Sequence, residues 1–474
     1  MPLKKTYPPK SPSLSLSPKM ISQPTNQKPV IKTEIPGPKS RALRSREDKF
    51  LAPGLQGFAL MAGIVADHAE GNLVTDVDGN SFLDIIGGIG VNGLGHSHPK
   101  FVSAIKEQVE KMSVGSFTSE ARVEFFERLG KNPPTPGLDR TQLYSGGAEA
   151  VESALRLAKC YTGKYEFLSF WGAFHGKTMG VLSLMGSDFK NKLGPMVPGA
   201  HQVPYANCYR CPFKMQYPSC GLACVDFARQ HLKVSSAGAL AAIIVEPMQG
   251  TNGNIIPPND YLPALKEVAK EFNALLIVDE MITGFGRTGK YWGSHHSGVA
   301  PDIVTLGKQF GGGYPVAALM SSEKIVNTPP WSNPSGSSSS YGGNPLGSAA
   351  ANAALKIIEE EGLVENSRRV GDYFLSKLKQ FEEKHSFIGQ VRGAGLFLAI
   401  EMVKDKETKE PLPKKICQQI FMEHLKRGLL TMSYAPSFRI QPSMTIDEGT
   451  VDHSVAIMEE VFNWVEKERL WEKV

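Results

Sequence analysis

The chain has 474 residues, 41% of them hydrophobic and 21% charged, which is the balance of an ordinary globular protein with core enough for two or three domains. Its net charge of +5 leaves no basic face for a nucleic acid, because Lys4, Lys5, Lys10, Lys19, Lys28 and Lys32 all precede the first acid, Glu34. No apolar run reaches the ~18 residues of a membrane span, and the N-terminus lacks the apolar core of a secretory signal, so a soluble, cytoplasmic protein is expected.

Residues 1–36 are rich in Pro, Ser and Lys and read as a disordered arm; no arginine precedes Arg41, which argues against a transit peptide. Residues 37–99 form an opening segment expected to join the smaller domain. In it Asp76-Val77-Asp78-Gly79-Asn80 turns between two short strands, the second ending in Phe82-Leu83-Asp84-Ile85. His96 and His98, alternating at a turn before Pro99, read as local hydrogen-bonding groups rather than metal ligands. An amphipathic helix follows over 100–112.

Residues 100–348 read as a large domain in which apolar strands alternate with helices, the pattern of an α/β fold with a parallel sheet covered on both faces. The clearest strands are 167–170, 242–245, 275–278, 303–306 and 316–320. Asn344-Pro345 opens an alanine-rich helix leading to a smaller C-terminal domain, 349–474, with a strand at 397–403 and helices near 414–426 and 447–471. Four of the six cysteines, Cys208, Cys211, Cys220 and Cys224, cluster as CYRCPFKMQYPSCGLAC. The gap between the pairs is shorter than in zinc ribbons, so the cluster reads as a surface insertion with reduced thiols, and no metal site is expected.

The stretch from Leu275 to Gly313 carries the chemistry. Leu275-Leu276-Ile277-Val278 ends in Asp279-Glu280, and Ile303-Val304-Thr305-Leu306 ends in Gly307-Lys308. Ligands of open α/β sheets sit outside the carboxyl ends of the strands, so Asp279 and Lys308 are expected to point into one site. Either residue alone would be a helix cap or a surface lysine. Together they suit pyridoxal phosphate, which needs a lysine for its Schiff base and a carboxylate to keep its ring nitrogen protonated.

Asp279-Glu280, the Gly284-Phe285-Gly286-Arg287-Thr288-Gly289 loop, Pro301-Asp302-Ile303 and Lys308 before glycines resemble the class III pyridoxal-phosphate-dependent aminotransferases, the 4-aminobutyrate and ornithine aminotransferase group. The resemblance runs from about Pro36 to the last helix. It implies the type I fold, with a large, mostly parallel sheet domain and a smaller α+β domain. It also implies a homodimer with shared sites, and transfer of an amino group from an amine or ω-amino acid to a keto acid. Some members of the group instead racemise, decarboxylate or shift an amine.

The resemblance places the phosphate at Gly146, Gly147 and Ala148, where exposed N–H groups open a helix. Gly146 replaces the family's Ser or Thr. Phe174 is implied to stack on one face of the ring and Met281 to pack on the other. Ser340 is implied to reach the phosphate in the partner subunit, and Arg439 to clamp a carboxylate, a role its fork suits. Ile282, Lys177 and Thr251 depart from the family's Gln, Arg and Glu. The last two changes weaken the expected grip on a second, distal carboxylate, because lysine lacks the bidentate fork.

Overall fold

The β-branched and apolar runs of the middle of the chain become the strands of one sheet, the inner five buried on both faces and the two edge strands only partly. In the computed structural model, which describes residues 21–472, these are β1 (Arg140–Tyr144), β2 (Glu166–Phe170), β3 (Ala200–Val203), β4 (Leu240–Val245), β5 (Leu275–Asp279), β6 (Ile303–Leu306) and β7 (Ala317–Ser321). They form a seven-stranded sheet in the order β1-β7-β6-β5-β4-β2-β3. Alternate residues feed two cores: Leu276 and Val278 pack on one face, Leu275 and Ile277 on the other.

Pairing is parallel from β3 through β6, while β7 runs antiparallel to both β6 and β1. The segment joining β6 to β7 is too short for a helical crossover, so the chain must turn back on itself. The sheet is therefore mostly, not wholly, parallel.

A second core is built by residues from Val370 to Trp471, joined by Leu83 and Ile85 from the opening segment. It holds the three-stranded sheet β8 (Ile388–Ala394), β9 (Phe397–Met402) and β10 (Ser437–Ile440), all antiparallel. The opening segment adds the strands Ala66–Glu70, Leu73–Asp76 and Ser81–Asp84, to which Leu429–Leu430 pairs in parallel. The helix Pro345–Glu360 packs on Pro99–Lys111 and Glu120–Gly130 before handing over to Leu363–Lys384.

Residues 1–20 of the expected disordered arm lie outside the described residues. Residues 21–36 are fastened to the body, with the Ser22 hydroxyl donating to Glu361 (2.6 Å) and the Gln27 amide to the Glu70 carbonyl (3.0 Å). Composition hides such anchors because they are polar contacts rather than apolar burial. His96 meets Asp84 of the same opening segment at 2.9 Å, but His98 is not a local device: it meets the distant Glu361 at 3.3 Å. No described helix is long and apolar enough to cross a membrane.

Candidate active site

Five strand ends converge. After β1 the chain turns through Gly146 into the helix Gly147–Thr162; after β2 comes Phe174-His175; Glu246 follows β4, Asp279 ends β5 and Lys308 follows β6. Gly147, Ala148, Phe174, His175, Asp279, Met281 and Lys308 line one cavity of about 350 Å³. This cavity shares Phe174, Asp279, Met281 and Lys308 with a larger one of about 690 Å³, whose wall also holds Arg439, Glu246, Ile282 and Thr251.

Asp279 is 2% exposed and tightly held. The imidazole Nδ1 of His175 lies 2.7 Å from one carboxylate oxygen; the Thr305 hydroxyl (3.0 Å) and the Met281 N–H (3.1 Å) donate to the other. Thr305 is its partner in the β5–β6 register, so this contact follows from strand pairing. Burial disfavours a charge on His175, but the hydrogen bond and charge of Asp279 outweigh it and raise the imidazole's pKa. The imidazole is thereby fixed as a donor to Asp279.

Lys308 makes no hydrogen bond or ion pair among the described residues, and its partial exposure is to the cavity. Burial pushes its ammonium down to about 8; Asp279 and Glu246 oppose the shift, and Arg439 and Arg287 add to it. Its backbone is left-handed, φ 53°, a conformation that costs a non-glycine residue about 1–3 kcal/mol and is concentrated at functional sites. Gly307 before it leaves room for Met281: a Cβ there would stand 2.5 Å from the Met281 sulfur.

The Gly147 and Ala148 N–H groups open a helix whose N-cap is Gly146. A Cβ on Gly146 would meet nothing within 4 Å, so the hydroxyl side chain absent here would have had space. Phe174 is half-buried, edge-on to Phe189 at 5.7 Å, and the Lys177 ammonium sits 4.6 Å above that second ring. Ser340 is exposed and lines neither cavity within this chain.

Arg439 comes from β10, in the other sheet. Burial lowers its pKa, with Tyr434 and Glu246 pulling the other way. Glu246, 5% exposed, accepts from the Phe174 and Gly250 N–H groups at 3.0 and 2.9 Å, and burial raises its pKa. The wholly buried Arg287 donates to the carbonyls of Leu396 and Pro442, tying the loop after Asp279 to the segments flanking β9 and β10. Ile282 packs with Met248 and Phe397 and turns apolar surface to the cavity.

Sequence reading assigned no role to His175, Thr305, Glu246 or Ile89. For His175 the only signal is its place beside Phe174. Ile89 sits in a left-handed turn, with φ of 56°, 61°, 64° and 69° from Gly87 to Gly90, and lines the larger cavity with Gly88. The four thiols of the cysteine cluster line one small cavity of about 20 Å³ and form no disulfide. Among the described residues no group of three or more His, Cys, Asp or Glu side chains is arranged to hold a metal.

A lysine with a free amine, a carboxylate backed by imidazole, apolar faces on either side and a helix N-terminus form a donor set that fits an aromatic, nitrogen-containing phosphate ester. With the large, mostly parallel sheet and the smaller α+β unit, the class is that of the fold type I pyridoxal-phosphate enzymes.

The family model for class III aminotransferases matches residues 58–462, and the chain belongs to that family. It is 33% identical over 417 residues to a leucine/methionine racemase of Thermococcus litoralis, covering 86% of this chain and 93% of that one. A 5-aminovalerate aminotransferase of Pseudomonas aeruginosa is 32% identical over 416 residues, covering 86% and 95%. Among solved structures, an amine transaminase from an uncultivated Pseudomonas species in its pyridoxal-phosphate-bound form superposes with a TM-score of 0.82 at 32% identity, covering 88% of this chain and 98% of that one.

Proposed function

We propose the following division of labour within this pyridoxal-phosphate-dependent transaminase. The observation that carries it is Lys308, unpaired and strained, facing the same cavity as the fixed carboxylate Asp279. Bound pyridoxal phosphate withdraws electrons from the carbon that bears the amine. Lys308 would hold the cofactor through its amine and, when that amine is free, would serve as the base that moves the substrate proton; a pKa near 8 leaves it partly neutral at physiological pH. Asp279, braced by His175 and Thr305, keeps the ring nitrogen protonated.

Phe174 and Met281, which both line the cavity, would flank the ring and exclude water. Gly147 and Ala148, behind the Gly146 cap, present their N–H groups to the phosphate. Arg439 receives the carboxylate of the keto acid acceptor. Ser340, exposed in its own chain, serves the partner's phosphate in a homodimer. The division at residues 99/100 and 348/349 and a cytoplasmic location belong to the same reading; the separate core from Val370 onward supports a second domain in the C-terminal part.

The test is amine transfer from a panel of amines and ω-amino acids to pyruvate and 2-oxoglutarate. Ketone or aldehyde should form in step with the new amino acid. Lys308→Ala should lose the absorbance of the lysine-bound cofactor and all turnover while remaining folded; steady-state transamination retained in that variant would defeat the assignment. The likeness to a racemase motivates a second reading, in which Lys308 and a group on the opposite face exchange the α-proton. Loss of optical activity from an L-amino acid with no keto acid added would favour it.

A further inference from the structure

The cysteine insertion plays no part in the chemistry described above, and its thiols are gathered in one place. Cys208, Cys211, Cys220 and Cys224 line a cavity of about 20 Å³. A space of that size holds about one water, so the residues around it face each other across a single molecule's width. All four are free thiols; Cys208 is exposed and the other three are half-buried. Burial, then the charges of Cys220, Cys211 and Asp260, raise the pKa of the Cys208 thiol. Charge effects fall with distance, which places Cys220 nearest to it. Burial pushes the Cys224 thiol up to about 11, which makes it a poor nucleophile.

The two residues between Cys208 and Cys211 hold the insertion to the other sheet. Tyr209 reaches β8, where a Cβ on Gly389 would stand 2.2 Å from its hydroxyl oxygen, so the ring needs a glycine there. The Lys409 ammonium lies 4.7 Å from the centre of that ring and donates to the Tyr209 carbonyl at 2.9 Å. Arg210 donates through Nε to Glu401 of β9 (2.8 Å) and through Nη1 to the Lys409 carbonyl (2.6 Å). Glu401 also accepts from Arg392 of β8 (2.8 Å) and from the Ser437 hydroxyl of β10 (3.0 Å). The grip thus reaches all three strands of the sheet that carries Arg439.

Behind this grip the insertion has little to brace it. Between Val203, the end of β3, and the helix Ala223–Ser235 the chain runs without strand or helix. Turns hold its backbone, with the Lys214 N–H on the Cys211 carbonyl (3.1 Å) and the Cys220 N–H on the Gln216 carbonyl (2.9 Å), while Met215 and Tyr217 are exposed. Asn207 and Arg210 also belong to the wall of the larger cavity. A covalent link across the base of the insertion therefore stiffens both the grip and that part of the wall.

We propose that Cys208 and Cys220 form a reversible disulfide that locks the insertion onto the sheet carrying Arg439. The oxidant is a low-molecular-weight disulfide. The Cys208 thiolate attacks one of its sulfurs and releases one thiolate; the Cys220 thiolate then attacks the Cys208 sulfur and releases the second. The two cysteines lose two electrons and two protons, and one small disulfide becomes two thiols. The closed loop spans about a dozen residues, and the link stabilises by restricting the unfolded chain. This inference is independent of the transaminase reading.

The test treats the cofactor-loaded enzyme with oxidised or with reduced glutathione. After oxidation, an unreduced tryptic digest should join the peptide ending at Arg210 to the one from Met215 to Arg229, with fragmentation placing the bond at Cys220. The apparent Tm should rise by at least about 2 °C and return on reduction. Cys208→Ser and Cys220→Ser should each abolish the cross-link and the rise, and Cys211→Ser and Cys224→Ser should keep both. No cross-link, one joining any other pair, a lasting glutathione adduct at Cys208 in its place, or a cross-link that leaves the Tm unmoved overturns the proposal. So does equimolar binding of zinc that shields all four thiols from glutathione. Should a serine variant not fold, the digest and the Tm of the wild-type enzyme decide.

Discussion

Asp279, Lys308, Phe174 and the Gly146–Ala148 turn stand at the carboxyl ends of strands of one sheet, each a few residues beyond a buried run. Arg210, Glu401 and Arg439 line the same larger cavity, but they come from a loop and from two strands of a different sheet. The first group is rigid by construction, because backbone pairing fixes where each strand stops. The second is held by side-chain contacts between separate units, such as the Arg210–Glu401 pair and Arg287 on the Leu396 and Pro442 carbonyls. In the proposed reading, the chemistry sits on the sheet and recognition sits where substitutions leave the sheet intact.

Substitutions at the two ends should separate accordingly. Asp279→Asn should give the largest effect: the cofactor still binds, but kcat falls by at least about two orders of magnitude, near 3 kcal/mol of barrier, because an amide cannot stabilise a protonated ring nitrogen. Single-turnover absorbance with correct cofactor loading checks it; near-normal turnover would mean the acid partner lies elsewhere. Arg439→Ala should come next, raising the keto acid's KM roughly tenfold to a hundredfold while affecting a carboxylate-free amine donor much less. Equal damage to both half-reactions would show that Arg439 supports the sheet rather than the substrate.

Reloading of cofactor-free enzyme probes Lys308 directly. Only its neutral amine attacks, so the rate of absorbance gain should rise with pH, by about tenfold per unit well below the midpoint, and level off above about 8. A midpoint near the ordinary lysine value of 10.5 would refute the buried-lysine electrostatics. The smallest effect is expected at Gly146→Ser. The site has room for the side chain, and one hydroxyl added beside the phosphate N–H groups should slow cofactor loss in dialysis by a few-fold at most. Faster loss would contradict the open space there.

The sequence by itself determined that Asp279 and Lys308 share one cavity. Short β-branched runs announce strands, the residue after each run lies at the sheet's carboxyl edge, and Asp279 and Lys308 could be paired on that basis before any coordinates. The helix Lys414–Lys426 and the strand Ile303–Leu306 were legible to the residue, because each is local and periodic. Tertiary structure alone decided the antiparallel turn of β7, forced by a short connection, and the fastening of residues 21–36 by polar contacts. It alone brought His175 and Thr305 onto Asp279, and Arg210 and Glu401 into the pocket of Lys308. Such contacts join residues far apart in sequence, and neither hydrophobic period nor motif spacing records which distant side chains the packed sheets will set face to face.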